Sequence, residues 1–212
     1  MERKNFKRPL HLACAENGDE RNLDNVYFQK GYVLASNSEV LVKQSLKLHG
    51  FTDSEIKKMN KKHIPKDAFA ILLAFDSVEV DRGHFIATKG GVEVKLKLST
   101  TENPPIWENA FQKQAIAVSQ ISVNLDLIEL TNALTLQENG LVDVKFCSFN
   151  GPMSFKGRGL EWEQETILVG PYLIGGAKML ESEPIEEETP IEEETPIEEE
   201  TPIEEEDFDE LL

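Results

Sequence analysis

Little in this chain is suited to chemistry. Cys14 and Cys147 are its only cysteines and lie far apart, so neither a disulfide framework nor a Cys-x-x-Cys pair exists. The four histidines, His11, His49, His63 and His84, have no metal-ligand spacing to one another or to the cysteines, which leaves them as surface or satisfied strand residues. No Gly-x-x-x-x-Gly-Lys-Ser/Thr phosphate loop is present: "LIGGAKM" does not fit it, and "GRGLEW" and "KGGVEV" read as turns. Asp and Glu are plentiful, but no context singles out a pair as acid and base. These absences argue against an enzyme and call for neither metal nor cofactor. No apolar run approaches the roughly 20 residues that span a bilayer. The start, "MERKNFKRPLHLACAENG", has basic residues but no apolar stretch of a signal peptide. Together with two cysteines read as reduced, buried hydrophobes, this points to a cytoplasmic protein with no membrane partner.

Basic residues are missing from one region altogether. Of the 39 Asp and Glu, 17 fall in residues 181–212, where there is no Lys or Arg. The remaining 22 balance the 22 Lys and Arg, so residues 1–180 are formally neutral and the net charge of −17 belongs to the tail. There the unit PIEEE recurs at 184, 190, 196 and 202. Proline removes a backbone donor and favours extended geometry, and neighbouring glutamates repel one another. Such a segment cannot bury enough surface to offset its ordering entropy, so it is expected to be disordered and extended from about residue 178. Residues 207–212, "DFDELL", break the repeat and carry Phe208, Leu211 and Leu212.

The body reads as strands with a few helices, an α+β class. Leu10–Ala15 is expected as a strand. Residues 26–34 and 39–46 are expected as an antiparallel pair around the polar corner Ser36-Asn37-Ser38-Glu39. Thr52 and Glu55 have capping-box spacing, and "PKDAFAILLAF" from Pro65 reads as a short helix, apolar almost all round and therefore buried on every face. Three strands follow at 77–81, 84–88 and 92–98, with turns at 81–83 and 89–91. From 120 the order recurs. "QISVN" is a strand and Asn124 an N-cap. "LDLIELTNAL" is a helix with Leu125, Ile128 and Leu127 or Leu130 on its apolar side. Three more strands follow, the first with Val142, Val144 and Phe146 inward. A strand-helix-three-strand unit thus repeats weakly, at a spacing of roughly 60 residues. In the first block only the polar "ENGDERNLDNV" stands where a helix would go.

Three stretches in this order resemble the bacterial sliding clamp, the beta subunit of DNA polymerase III. "YVLASNSEVLVK" is similar to the A-T-D-G-H-R-L segment of the clamp's middle domain. Residues 64–111 are similar to the rest of that domain, with "PPIWENAF" where the family has F-P-D-Y. Residues 121–174 are similar to the second half of the last domain, ending where the family ends in V-M-P-M. The resemblance implies a sliding-clamp fold of repeated strand-helix-three-strand units. It also implies a clamp-like domain over 1–115, half a domain over 116–176 and a disordered acidic tail over 177–212. It describes a shortened clamp of the kind a phage or mobile element carries.

In that family the corner is part of a pocket that captures a short peptide of polymerases and other replication proteins. Carried over by position, the pocket takes Ser38, Glu39, Val40 and Leu41 from the corner, Ala110 from "WENAF", and Leu168, Gly170 and Tyr172 from the last strand, with Leu168 at the rim. The family's Gly-His-Arg is here Ser38-Glu39-Val40, and a Met is Gly170, so the preferred peptide is expected to differ. The candidates for DNA contact are Lys57, Lys58, Lys61, Lys62 and Lys66. The helix after Asn124 instead offers Asp126 and Glu129, so tight encirclement of DNA has little support.

Two functions fit. One is a non-catalytic processivity clamp, a homo-oligomer tethering a polymerase or another replication protein that carries a clamp-binding peptide. The other is a clamp-derived adaptor, inhibitor or decoy that does not encircle DNA, with an acidic tail able to mimic nucleic acid or shield a basic partner. The tail tip, Phe208, Leu211 and Leu212, resembles the acidic, apolar-tipped tails of single-stranded-DNA-binding proteins and is expected to bind a partner.

Overall fold

The computed structural model of the chain describes residues 4–100, 105–107, 110–111, 124–136, 141–146 and 152–170. All of them belong to one compact unit, Met1–Leu173. Tyr172, Cys147 and the acidic tail with Phe208, Leu211 and Leu212 lie outside the described residues, as does most of the expected strand "QISVN".

Three two-residue hairpins connect five of the strands. β1 (Asn25–Gln29) and β2 (Tyr32–Ser36) are joined by Lys30 and Gly31, both at positive φ. β5 (Ser77–Asp81), β6 (His84–Lys89) and β7 (Val92–Lys97) are joined by Arg82-Gly83 and Gly90-Gly91, again with both residues at positive φ. Two-residue turns of this hand match the twist of the strands they connect, and glycine supplies the left-handed backbone without a Cβ penalty. Residues 26–34, expected as one strand, are therefore a hairpin broken at Lys30-Gly31. β3 (Val40–Ser45) completes the first meander and pairs antiparallel with β2, Ala35 opposite Val42.

Between the meanders stand α1 (Asp53–Met59), β4 (Lys62–Pro65) and α2 (Lys66–Leu72). α1 starts with the expected capping box: Thr52 Oγ1 accepts from Glu55 N at 3.4 Å, and Thr52 N donates to Glu55 Oε2 at 3.0 Å. β4 pairs with β1, Tyr27 opposite His63, while on the other side Lys4 O accepts from Val78 N of β5 at 2.7 Å. The segment between the two meanders thus joins the sheet of the first, while the N-terminal segment touches the second through one backbone bond. The short β8 (Ser99–Thr100) follows β7 and pairs with β4. Beyond it come α3 (Leu125–Leu134), β9 (Val142–Phe146), β10 (Met153–Gly157) and β11 (Glu165–Val169). Asn124 caps α3 as expected, its side chain accepting from Asp126 N at 2.9 Å.

The order is β8-β4-β1-β2-β3-β11-β10-β9 in an eight-stranded sheet and β5-β6-β7 in a three-stranded one. The helix and three strands expected after 120 are present, and β11 pairs with β3, Leu168 opposite Leu41. Among the described residues nothing pairs with the far side of β7, whose outward residues include Glu93, Lys95 and Lys97.

Alternation along the strands decides the core. Val26, Phe28, Val33, Ala35, Val40, Val42, Ile167 and Val169 point to one side of the large sheet and are buried. At the centre of that core Phe6 meets four other phenylalanine rings, from Phe69 at 4.7 Å to Phe28 at 5.9 Å between centroids, and the ring of His49 at 5.6 Å. The expected strand at Leu10–Ala15 is instead a 3-10 turn over Leu10–Ala13. It buries Leu10 and Ala13 in the core, and no helix forms over 16–26. Pro9 precedes it and has no N–H to give a strand ladder. α2 buries Phe69 and Leu72, but Ile71 is 46% exposed, so the helix is not covered on every face. On α3, Leu127, Thr131 and Leu134 face inward while Leu125, in the first turn, is 74% exposed. Val144 is exposed as well, because β9 is the outer strand of its sheet.

A buried carboxylate joins the halves of this fold. Glu165, at the start of β11, accepts from Gln44 Nε2 of β3 (2.8 Å), Leu136 N (2.8 Å) and Thr135 Oγ1 (3.1 Å) beyond α3, and Gly157 N of β10 (2.7 Å). It has no exposed surface, and Gln44 Nε2 also donates to Leu134 O at 2.7 Å. His49 is equally buried, with its Nδ1 accepting from Lys7 N at 3.1 Å, and burial pushes its pKa down to about 3. Cys14, the buried hydrophobe expected of it, has its thiol pushed up by burial to about 12.

Two predictions follow from these groups. Glu165→Ala leaves four donors without their acceptor and should cost about 3 kcal/mol, read as a shifted urea midpoint. His49 is a base with a lowered folded pKa. Its contribution to stability is complete above the unfolded value of 6.5 and is lost as pH falls from there toward 3. The chain should therefore lose about 2 kcal/mol from this group between pH 7 and pH 5, and His49→Asn should flatten that slope in urea titrations.

Candidate functional site

The corner between β2 and β3 is a tight, side-chain-braced turn. Asn37 Oδ1 accepts from Glu39 N (3.0 Å) and Val40 N (2.8 Å), Ser36 Oγ accepts from Ser38 N (3.2 Å), and Ser38 adopts φ +83°. Such a braced turn is the ordinary use of Asn and Ser beside a strand end. What sets it apart is its contact with the end of β11. Gly170 N donates to Glu39 O at 2.7 Å, and a Cβ at Gly170 would stand 3.3 Å from that same oxygen. Gly170 thus stands where the end of β11 approaches the corner closely, with little room for a side chain.

Side chains alternate away from the core on this face. Tyr27, Leu34, Leu41 and Leu168 form a second apolar cluster with Leu23 and Trp107. Trp107 reaches it from the segment 105–107, its ring 5.7 Å from that of Tyr27. The Tyr27 hydroxyl donates to Asn22 O at 2.7 Å, and burial raises its pKa to about 12, so the ring stays neutral and fixed. Among the described residues the Trp107 indole N–H has no hydrogen-bond partner.

Between this cluster and the corner lies a cleft of about 490 Å³. Ser38, Glu39, Val40, Leu41, Ala110, Leu168 and Gly170 all line it, so every described residue assigned to the pocket from the sequence falls around one hollow. Leu168 differs from expectation. It is 4% exposed and forms the floor, because its strand is paired on both sides and Leu41 lies directly opposite. The rim belongs to residues not singled out from the sequence: Arg21, Pro105, Pro152 and Ile106, the last 78% exposed. The doubled proline and tryptophan of "PPIW" were the available signal, since a rigid turn followed by a large aromatic suits a wall.

A second cleft, of about 460 Å³, begins on the other side of Leu168. Lys43, Phe111, Lys145, Ser154 and Trp162 line it. Lys43 Nζ sits over the rings of Tyr32 (4.3 Å) and Phe111 (5.0 Å), and Lys145 Nζ over Trp162 (4.8 Å). Desolvation lowers the Lys43 pKa, against the opposing field of Glu163.

Of the five lysines considered for DNA, Lys58 and Lys66 are engaged with the body. Lys66 Nζ donates to Ala15 O (2.8 Å) and pairs with Glu16 (3.3 Å). Lys58 Nζ donates to Val80 O at 3.2 Å, and Lys62 Nζ lies near Gly83 on the same hairpin. Lys57 lines a separate hollow with Lys30, Lys47 and Asp53, and Lys61 is exposed at positive φ. Among the described residues no group of three or more His, Cys, Asp or Glu is placed to hold a metal, and no helix is long and apolar enough to cross a membrane.

Solved structures similar to this chain are bacterial sliding clamps. DNA polymerase III subunit beta of Borrelia burgdorferi, in complex with a natural product, matches with a TM-score of 0.60 at 12% identity, over 82% of this chain and 64% of that one. The Bartonella birtlesii sliding clamp bound to griselimycin matches at 0.53 and 10%, over 76% and 61%. The Helicobacter pylori beta clamp bound to a DNA ligase peptide matches at 0.51 and 12%, over 77% and 61%. No protein-family model matches the sequence, and no curated protein is significantly similar to it. The chain has the sliding-clamp fold, in a form that spans less than two thirds of the length of these clamps.

The floor and the rim should respond differently to charge. Leu168→Asp buries a carboxylate in a covered position and should cost more than about 3 kcal/mol, lowering the melting temperature sharply. Ile106→Asp, at an exposed rim, should change stability by less than about 0.5 kcal/mol.

Proposed function

We propose that this chain is a non-catalytic, clamp-like protein of DNA replication that captures a short peptide of a replication protein in the cleft between the corner and Gly170. The observation that carries the reading is the convergence of three distant segments, 36–41, 105–111 and 168–170, on one apolar-floored hollow in a sliding-clamp fold. The peptide seen on the Helicobacter pylori clamp supports it by analogy. One Leu or Phe anchor on such a floor contributes about 1.5–3 kcal/mol. A micromolar complex, about −8 kcal/mol, then needs two or three anchors with backbone hydrogen bonds. In this reading the protein tethers a polymerase or a similar partner, and several copies close around DNA.

A second reading, a clamp-derived adaptor that does not encircle DNA, is favoured by the helices. α3 presents Asp126 and Glu129, and α2 presents Asp67, all exposed. Carboxylates in these positions repel phosphate. Native mass spectrometry with primed circular DNA separates the two: a multimer retained on the DNA is the clamp, a monomer that stays off it the adaptor.

The cleft itself is tested with a panel of labelled clamp-binding peptides that includes the ligase peptide. At least one should bind with micromolar affinity by fluorescence anisotropy, and Ile106→Asp should weaken it by about tenfold without altering the melting temperature, the loss of one apolar contact. A panel that does not bind at all, or that binds Ile106→Asp as well as the wild type, overturns the reading.

A further inference from the structure

Trp107, which walls the apolar cleft, also lines a smaller hollow of about 110 Å³. Tyr32, Leu34 and Phe111 give this hollow an apolar wall, and Gln29 and Lys43 share the lining. Its polar groups are short of acceptors. The Trp107 indole nitrogen and the Gln29 side-chain nitrogen are both buried, and among the described residues neither has a hydrogen-bond partner. Trp107 is only 6% exposed, so bulk water does not serve it. Lys43 Nζ, held over the rings of Tyr32 and Phe111, makes no hydrogen bond or ion pair among the described residues. Glu163 bears on it from the neighbouring hollow without pairing, and burial still lowers its pKa.

A buried donor without an acceptor is costly, and two of them beside a half-buried ammonium make a deficit of one sign. The hollow lacks an acceptor. The charged residues that line it, Lys30 and Lys43, favour an anionic one, and no Asp or Glu is among its described lining residues. A carboxylate fits this need, because its two oxygens can receive an ammonium, an indole N–H and an amide at the same time. The apolar wall decides the rest of the molecule. A bare inorganic anion would leave Tyr32, Leu34 and Phe111 without packing partners, whereas a short hydrocarbon stem on the carboxylate covers them.

We propose that this hollow binds a small aliphatic carboxylic acid, free in solution and of about the size of propionate. Lys43 Nζ pairs with the carboxylate, the Trp107 indole N–H and the Gln29 amide donate to its oxygens, and the stem lies against Tyr32, Leu34 and Phe111. Both nitrogens are closed to solvent in the empty hollow, so the two side chains turn slightly toward the ligand as it enters. The site stands whether or not the neighbouring cleft captures a peptide. Its occupant would hold the ring that forms a wall of that cleft.

The chain has two tryptophans, and only Trp107 lines this hollow, since Trp162 lines the cleft that also contains Glu163. The full chain, labelled with fluorotryptophan and assigned with Trp162→Phe, is titrated with sodium propionate at constant ionic strength and followed by fluorine NMR. The Trp107 resonance should move saturably, with a dissociation constant of about 1–10 mM, the range open to a ligand of so few atoms. Propionamide, of the same shape without the charge, should bind about tenfold more weakly or not at all, and Lys43→Gln should weaken propionate to a similar extent. Gln29→Leu removes an unpaired buried donor, so it should leave the melting temperature unchanged or higher while also weakening propionate. A Trp107 resonance that stays in place or drifts without saturating overturns the proposal. So does propionamide binding as well as propionate, or propionate binding both variants as it binds the wild type. A shift confined to Trp162 puts the anion in the neighbouring cleft and overturns it too.

Discussion

The outer face exists because β3 pairs with β11. That contact puts Val40–Ser45 in register with Glu165–Val169 and makes one sheet of strands that are far apart in the sequence. Both of its ends are reinforced. At one, Gly170 N holds Glu39 O and fixes the corner. At the other, Glu165 gathers donors from β3, β10 and the residues after α3. A carboxylate with four donors is costly to bury and costlier to leave half-satisfied, so it accepts one arrangement of these elements and rejects slipped ones. A one-residue slip of β11 would turn Leu168 into the core and Ile167 or Val169 out of it, and the cleft would lose its floor.

The same sheet separates two kinds of packing. Its inner face is built from Val, Ile and Phe against Phe6 and the helices, and carries stability. The outer face has a smaller cluster around Leu41, Leu168 and Trp107, open on one side, and lines the cleft. Alternation along each strand lets one sequence serve both, since neighbouring residues report to different faces.

Much of this was legible in the sequence because its signals were local. The glycine turns at 81–83 and 89–91, the Thr52–Glu55 capping box and the Asn124 cap each depend on a few adjacent residues, and each appears where it was expected, whereas the turn at Lys30-Gly31 was read as the middle of a strand. The unit of strands around helices was legible from order, and the convergence of seven pocket residues from their resemblance to the clamp. The failures lie where tertiary contacts decide. Leu10–Ala13 alternates well enough for a strand, yet Pro9 and the need to bury Leu10 and Ala13 under α2 make it a 3-10 turn. β4 has four residues and a terminal proline, and no local pattern marks it; pairing with β1 does. Leu125 and Leu168 show the limit most plainly, since one leucine is exposed in a first turn and the other covered, and composition treats them alike.

The side of β7 that has no partner among the described residues has a consequence for what can lie against it. An outer strand offers its backbone to any extended chain, and charged side chains make that offer selective. Along β7 the charged residues are Glu93, Lys95 and Lys97, with Glu93 and Lys95 3.4 Å apart. If two copies of this strand met antiparallel about Lys95, Glu93 of each would face Lys97 of the other, and the two Lys95 would oppose each other. If they met about Val94 instead, Glu93 of each strand would face Lys95 of the other with no like charges opposed, so the charges along this edge discriminate between alignments of an approaching strand.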